Sequence, residues 1–243
     1  RNPLRDWSLS ILGALEPTPT KQELEKGNNA VLEFKEFLKK ITDERRKNPG
    51  DPDTDVLTRM IIAEESNLSE TELLQNCIFI LNAGHETTTN LIGNALWALC
   101  TYPMVRKTLI KNPAILNSAI DEFLRFLSPN QFGNRETAFE VSLSGKKIPK
   151  NTNLHLCIGA ANRDPLQFKD PEELIIDRTP NRHLAFAGGA HHCVGFSLAK
   201  MEARIAIGMF LRNFPNYNLI SKPRWSRRIR FRGLTHLHAR LER

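Results

Sequence analysis

The sequence predicts a mainly helical α+β fold with small β-sheets, organised as one domain over residues 1–243. Long segments whose apolar residues recur every three or four positions predict helices. Apolar residues that alternate on either side of a Ser-Gly pair predict a short hairpin. The composition, 40% hydrophobic and 25% charged, is typical of a folded globular protein and shows no biased tract.

Two helices are predicted in the first quarter of the chain. Residues 21–47 form an amphipathic pattern that ends at the turn-rich stretch NPGDPD. The apolar face of this helix consists of Val31, Phe34, Leu38 and Ile41. A shorter helix is predicted over residues 56–63.

A capping box marks the start of a much longer helix. Ser69 and Glu72 are three residues apart, and each side chain can bond the other residue's backbone N–H. The helix can then continue to about Cys100, before Tyr102-Pro103. A further helix is predicted over residues 112–129 and is stopped by a proline.

The pattern changes in the second half of the chain. The alternation around Ser144-Gly145 predicts the hairpin, and residues 162–182 show little periodicity. A glycine-rich loop and a last helix follow. Near the end, residues 228–232 alternate charged and apolar side chains, which predicts a strand with one solvated face.

Composition narrows the classes of function. The four cysteines form no C-x-x-C pair, which argues against a disulfide scaffold or a zinc finger and favours a reducing cytoplasm. No apolar run is long enough to span a bilayer. The net charge of +7 is concentrated partly in KPRWSRRIRFRG. A solvated strand or a docking face for an acidic protein explains that stretch better than nucleic-acid binding does.

The stretch AGHETTTN resembles a zinc-protease helix, H-E-x-x-H, but Thr89 replaces the second histidine. A zinc hydrolase is therefore a disfavoured alternative. Its zinc ligands and base would be drawn from His85, Glu86, His191, His192 and Cys193.

The loop before the last helix has the pattern F-x-x-G-x-H-x-C-x-G. A cysteine at the entry to a helix has its thiolate stabilised by backbone N–H groups and the helix dipole. The glycines allow the backbone to pass close to a flat ligand. The simpler alternative is a buried, inert cysteine. The matched positions are Phe186, Gly189, His191, Cys193 and Gly195.

These residues, with two further motifs, resemble the cytochrome P-450 family of haem-thiolate monooxygenases, in particular its bacterial members. The family's E-x-x-R motif matches at Glu122-Phe123-Leu124-Arg125, and its A-G-x-[DE]-T motif matches at Ala83-Gly84-His85-Glu86-Thr87. The motifs occur in the family's order over essentially the whole chain. The resemblance implies haem b as cofactor, with Cys193 as the axial ligand of its iron.

The resemblance also assigns roles in the long helix. Ala83 and Gly84 would lie against the haem face and leave room for dioxygen. Thr87 would offer a hydroxyl to dioxygen, and Glu86 would help carry protons from solvent. The alternatives are a threonine that bonds back to a preceding carbonyl and a glutamate that pairs with a surface cation.

Further residues follow from the same resemblance. Glu122 and Arg125 would form a buried lock behind the haem loop, completed by Arg178 or, as second choice, Arg182. Arg135 and His191 would pair with haem propionates. The substrate pocket would be lined by residues near Leu12, Ile80, Asn82, Ala83 and 129–132.

Two departures from the family pattern stand out. Ala187 occupies the position of the usual glycine after Phe186, which restricts the loop's torsion angles. The chain also begins near the family's substrate-lid helices, so the N-terminal helices are expected to be missing.

The function expected from the resemblance is insertion of one oxygen atom from O2 into an apolar small molecule. Electrons would come from NAD(P)H through ferredoxin reductase and ferredoxin, since no nucleotide-binding fingerprint occurs in the chain. The alternative is a truncated product without catalysis that binds haem weakly or not at all.

Overall fold

A computed structural model of the chain describes residues 2–242, apart from the side chains of Asn2 and of residues 64–67. Helices dominate, and four two-stranded antiparallel sheets occur among the described residues. The mainly helical fold with small sheets is therefore confirmed. The chain forms two compact units, Arg1–Glu86 and Thr87–Arg243, and the single domain stays a prediction.

The first unit is helical throughout. Its elements are α1 (Asn2–Ala14), α2 (Lys21–Lys47), α3 (Val56–Asn67) and the first half of α4 (Glu70–Thr101). Helices α1 and α2 pack closely because Gly27 presents no side chain towards Ala14. Trp7 stacks on Phe34 with ring centroids 5.1 Å apart.

The predicted bounds of α2 are confirmed. Thr20 caps the helix: its hydroxyl accepts from the Glu23 N–H at 3.2 Å, while the Glu23 carboxylate accepts from the Thr20 N–H at 2.7 Å. Phe34 and Leu38 are buried as predicted. Val31 and Ile41 are half-buried, so the buried stripe is narrower than the apolar face of the sequence.

The next two helices begin where predicted. Helix α3 extends four residues beyond the predicted end at residue 63. The capping box before α4 is present, with the Ser69 N–H donating to the Glu72 carboxylate at 2.8 Å. The predicted long helix is thus confirmed and ends at Thr101.

The second unit contains the rest of α4 and the remaining helices. These are α5 (Pro103–Lys111), α6 (Leu116–Phe126), α7 (Ile158–Ala161) and α8 (Phe196–Asn213). Helix α5 was not predicted, because Pro103 was interpreted as an end signal. Proline also suits the first turn of a helix, where its missing N–H costs nothing. The helix predicted over 112–129 is shorter and is preceded by a 3₁₀ turn, Pro113–Ile115.

The sheets of the second unit are small and local. Strand β1 (Phe132–Glu136) pairs with β4 (Asn153–Cys157), and β2 (Val141–Leu143) pairs with β3 (Lys146–Ile148). The β2–β3 hairpin confirms the prediction. Its turn uses Ser144 and Gly145 at φ of 48° and 77°, the left-handed conformation that two-residue hairpins require.

The C-terminal strands form a nested hairpin. The outer pair is β5 (Asn218–Leu219) with β8 (Ala239–Arg240), and the inner pair is β6 (Arg224–Trp225) with β7 (Leu234–His236). The predicted strand over residues 228–232 is wrong. These residues form an irregular tip, closed by the bond from the Ser226 N–H to the Gly233 carbonyl at 2.9 Å, and have one isolated bridge to Asn130. The backbone of these residues pairs instead with residues 129–131, through bonds from the Gln131 N–H to the Arg230 carbonyl and from the Arg232 N–H to the Pro129 carbonyl, both at 2.8 Å.

The core of the second unit lies where α4, α6 and α8 meet. Ala95, Ile120, Phe123, Ala203 and Ile207 are completely buried there. All four cysteines are free thiols. Among residues 2–242, no helix combines the length and apolar character needed to cross a bilayer.

Candidate functional site

The cysteine loop leads into the start of α8 and is closed by one backbone bond. The Cys193 N–H donates to the Phe186 carbonyl at 2.9 Å. A 3₁₀ turn, Gly189–His191, lies inside this closure. Gly189 and Ala187 have φ of 66° and 58°, so the loop requires the left-handed region at two positions. Ala187 was expected to restrict the torsion angles of the loop, and it adopts a strained backbone conformation in the fold.

Cys193 lies two residues before Gly195, the N-cap of α8. Glycine has no side chain that could accept from the first N–H groups of the helix, so these donors remain for another acceptor. The positive end of an 18-residue helix also favours negative charge at this place. The half-buried Cys193 therefore lies where the helix favours a negatively charged group.

Apolar side chains next to the cysteine in sequence are exposed. Val194 is 94% exposed, and Phe196, Leu198 and Met201 are 40–54% exposed. These side chains are available to contact an apolar group. A Cβ added at Gly189 or Gly195 would meet no atom within 4 Å, so the backbone is open on this side. The residues present fit a flat, apolar group that carries a metal for the sulfur.

A buried ion-pair network lies in the same unit. Glu122 and Arg125 on α6 form a two-point pair, with N–O distances of 2.7 and 2.8 Å. Arg178 Nε lies 3.1 Å from the Glu122 carboxylate. The structure thus places Arg178, the arginine expected ahead of Arg182, beside the pair. The carboxylate also accepts from the Asn181 side chain at 3.1 Å.

Arg125 connects this network to the irregular segment over residues 162–182. Its guanidinium donates to the carbonyls of Asn162 at 2.9 Å, Pro171 at 2.8 Å and Glu173 at 2.9 Å. A charged donor that is fully buried is stable only when its N–H groups are satisfied in this way. The network therefore holds a segment without secondary structure in one conformation.

Asn162, which no motif or periodic pattern of the sequence singled out, links the network to the cysteine loop. Asn162 is completely buried, its side-chain oxygen accepts from the Leu184 N–H at 2.7 Å, and its side-chain nitrogen donates to the Ser128 hydroxyl at 2.8 Å. An asparagine in an aperiodic, polar stretch gives no periodic signal. Its position just before Arg163-Asp164-Pro165 was the only local hint of a turn.

The acid-threonine stretch lies on α4, at the division between the two units. Ala83 and Gly84 are exposed, and a Cβ at Gly84 would meet no atom within 4 Å. Glu86 is 19% exposed and lies 4.0 Å from His85. Thr87 is half-buried. The catalytic roles of Glu86 and Thr87 stay predictions.

Other predicted site residues are found in different settings. Arg135 is half-buried on β1 and donates to the Asn134 carbonyl at 2.7 Å, while His191 is exposed in the loop. Leu12 and Asn82 are buried, and the Asn82 side chain bonds back to the Ile78 carbonyl at 2.9 Å. Among the residues described, no group of three or more His, Cys, Asp or Glu side chains could hold a metal ion.

The comparison with known families decides the assignment. The family model described as "Cytochrome P450" matches residues 9–216. The chain belongs to the cytochrome P450 family. The motif residues described above thus lie in a P450 sequence.

Several P450s are similar to this chain over nearly all of its length. The biotin biosynthesis cytochrome P450 of Bacillus subtilis is 34% identical over 90% of the chain, and 6-deoxyerythronolide B hydroxylase of Saccharopolyspora erythraea is 33% identical over 97%. The crystal structure of P450BioI, in complex with an acyl carrier protein ligated with hexadec-9Z-enoic acid, superposes with a TM-score of 0.93 at 33% identity and covers 98% of this chain. CYP109E1 from Bacillus megaterium, in complex with testosterone, gives 0.92 at 31% over 100%.

The similarity covers only part of each P450 relative. The chain spans 55% of the Bacillus subtilis protein and 58% of the hydroxylase, and 61% of the P450BioI structure. It thus corresponds to a little more than half of a P450 of that length.

Proposed function

We propose that this chain forms the haem-thiolate part of a P450 monooxygenase that inserts one oxygen atom from O2 into an apolar small molecule. The observation that carries the proposal is Cys193, half-buried before the N-terminus of α8, with exposed apolar side chains next to it in sequence. Membership of the P450 family supports haem as the group that covers this surface.

Haem b, when bound, would supply the binding and activation of dioxygen, with electron donation from the axial thiolate. The chain contributes the ligand, Cys193, and a loop that holds it in place. Phe186, Gly189 and Gly195 belong to that loop and are proposed to help hold the haem. Arg135 and His191 are proposed to bind its propionates.

The long helix α4 is proposed to supply protons and space. Ala83 and Gly84 have small side chains and are exposed, so they leave room beside the helix. The Thr87 hydroxyl is proposed to pass a proton to dioxygen, and the Glu86 carboxyl to supply the proton that replaces it. Glu86 would in turn exchange protons with solvent.

The network of Glu122, Arg125 and Arg178 is proposed to be structural. Glu122 and Arg125 are completely buried, and their partners are backbone carbonyls and other side chains of the protein. The three side chains thus fix the segment that leads to the cysteine loop and contact neither substrate nor cofactor.

The proposed substrate is apolar, and the proposed electron donors are NAD(P)H-dependent ferredoxin reductase and ferredoxin. The relatives are named for biotin biosynthesis, for hydroxylation of 6-deoxyerythronolide B and for a complex with testosterone. Testosterone, and the hexadec-9Z-enoic acid on the carrier protein bound to P450BioI, are largely apolar, which supports the class but no particular molecule.

The test is a carbon-monoxide difference spectrum of the reduced chain, expressed with haem available. We expect a Soret band at the long-wavelength position of thiolate ligation, absent in Cys193→Ser. Cys157→Ser is the matched control, since Cys157 is an exposed cysteine on β4 outside the loop, and it should leave the band unchanged.

Two results would contradict the proposal. If the wild-type chain binds no haem, or shows only the shorter-wavelength band, the alternative of an inactive fragment is correct for this chain. If Cys193→Ser retains the long-wavelength band, another residue is the ligand.

A further inference from the structure

The Asp121 carboxylate on α6 contacts one residue before Cys193 in the sequence and one after it. Asp121 accepts from Lys200 Nζ, with distances of 2.7 and 2.8 Å to its two oxygens. The same carboxylate lies 3.4 Å from His183 Nε2. His183 precedes the cysteine loop and Lys200 lies in the second turn of α8, so residues 184–199, which contain Cys193, are bracketed by one side chain.

The orientation of His183 is set from both sides of its ring. The Ala185 N–H donates to His183 Nδ1 at 3.3 Å, so Nδ1 is the acceptor nitrogen. Nε2 then carries a proton and can donate to Asp121. The side chain of His183 is 8% exposed, and its ring lies 5.9 Å from the ring of Phe186, the first residue of the cysteine motif.

Asp121 is suited to remain charged in this position. Its partial burial raises the pKa of the carboxyl, but hydrogen bonds from His183 and Lys200 outweigh this effect and hold the pKa below its usual value. A charged acceptor makes stronger hydrogen bonds than a neutral one.

The loop has a second attachment beside the first. The Leu184 N–H donates to the buried side chain of Asn162 at 2.7 Å. Two consecutive residues, His183 and Leu184, are thus held by different elements of the unit. The opposite end of the bracketed segment is fixed by Lys200. Closing both ends reduces the conformational entropy left to the residues between them.

We propose that Asp121, acting through His183 and Lys200, is a positioning residue for Cys193: it joins the two ends of residues 184–199 and so holds the sulfur at one place. This inference rests on the proposed function in that Cys193 is taken to be the ligand. None of the three side chains is proposed to contact the haem.

The first test measures the loop itself in the full chain before haem is added. Hydrogen–deuterium exchange reports the amides of Ala187 and Cys193, which close the loop by bonds of 2.8 and 2.9 Å. Peptide-resolved alkylation reports the reactivity of the Cys193 thiol. In Asp121→Asn we expect both rates to rise about tenfold, the effect of losing one charge-assisted hydrogen bond.

Matched variants distinguish the effect of the Asp121 bridge from a general effect of charge and from a loss of folding. Glu202→Gln removes an exposed carboxylate from the same helix as Lys200 and should change neither rate. Asp121→Glu keeps the carboxylate and should restore part of the protection. Lys200→Met and His183→Phe each remove one arm and should raise the two rates less than Asp121→Asn does.

The second test uses the haem-loaded chain and follows the long-wavelength carbon-monoxide band over time. Asp121→Asn should convert to the shorter-wavelength form faster than wild type, whereas Glu202→Gln should not. Failure of the proposed function would appear in the wild-type spectrum itself and would leave the exchange and alkylation results standing.

The inference is overturned if Asp121→Asn and Lys200→Met show wild-type exchange and alkylation at Cys193. It is also overturned if the rates rise equally at α6 and throughout the unit, since that is loss of global stability. If Asp121→Asn does not fold, Lys200→Met decides between local loosening of the loop and global loss of stability. This variant removes only the partly exposed Lys200–Asp121 pair.

Discussion

Glu122 and Arg125 form an ion pair in which both side chains are 0% exposed, with Nη2–Oε1 and Nε–Oε2 distances of 2.7 and 2.8 Å. The pair is one turn of α6 apart in sequence, and its remaining hydrogen-bonding groups are used by residues of the segment over 162–182. Removing Glu122 leaves Arg125 buried with carbonyl acceptors in place of its carboxylate, and removing Arg125 leaves Glu122 with Arg178 as its remaining cation and three carbonyls without their donor. Either loss costs far more than breaking a surface pair.

Arg125→Ala is expected to destabilise the second unit by about 3 to 5 kcal/mol, because Glu122 loses its two-point partner and three backbone carbonyls lose their donor. Urea unfolding followed by circular dichroism measures the change. Lys147→Ala, which breaks an exposed pair with Glu140, should leave the midpoint within error of wild type. Equal effects of the two substitutions would show that the buried pair has no special role.

Asn162→Ala is expected to cost about 2 kcal/mol, since it leaves the Leu184 N–H without its acceptor and the Ser128 hydroxyl without its donor. The loss should be accompanied by faster amide exchange at Leu184. Asn213→Ala serves as control, because that side chain is exposed at the end of α8. A neutral result for Asn162→Ala would mean that water replaces both hydrogen bonds.

Ala187→Gly is expected to stabilise the chain by about 0.5 to 1 kcal/mol, because alanine is strained at φ of 58° and glycine is not. Thermal unfolding checks the sign. Ala199→Gly, the same change inside regular α8, should destabilise by about 1 kcal/mol. If both substitutions destabilise, the left-handed conformation at residue 187 is not retained in solution.

The stabilising effect of Asp121 should depend on pH in a defined direction. Its pKa in the folded state is lower than the ordinary value of 3.8, so the unfolded state takes up the proton first. The contribution is therefore complete above pH 3.8 and is lost as the pH falls through the lower, folded value. The difference in unfolding free energy between wild type and Asp121→Asn should shrink as the pH falls below about 4. A difference that shrinks well above pH 4 would assign the effect to another group.

Local patterns predicted the elements whose formation depends on neighbouring residues. The capping box at Ser69 and Glu72 and the turn at Ser144-Gly145 satisfy their own backbone groups within a few positions, so their sequences are sufficient to locate α4 and the β2–β3 hairpin. The same reasoning missed α5, since a proline can end one helix and begin the next. It was wrong for residues 228–232, where alternation was the pattern of a strand but the chain turns at a hairpin tip.

The sequence by itself determined the family and the motif around Cys193, because residue types at fixed spacings carry that information. Only the tertiary structure brought Asp121, His183 and Lys200 together, and only it placed Asn162 between Arg125 and Leu184. These contacts join residues separated by 22 to 79 positions, and no periodic pattern encodes them. They form because a buried polar group must find a partner, and the packing of α6 and α8 decides which partner is within reach.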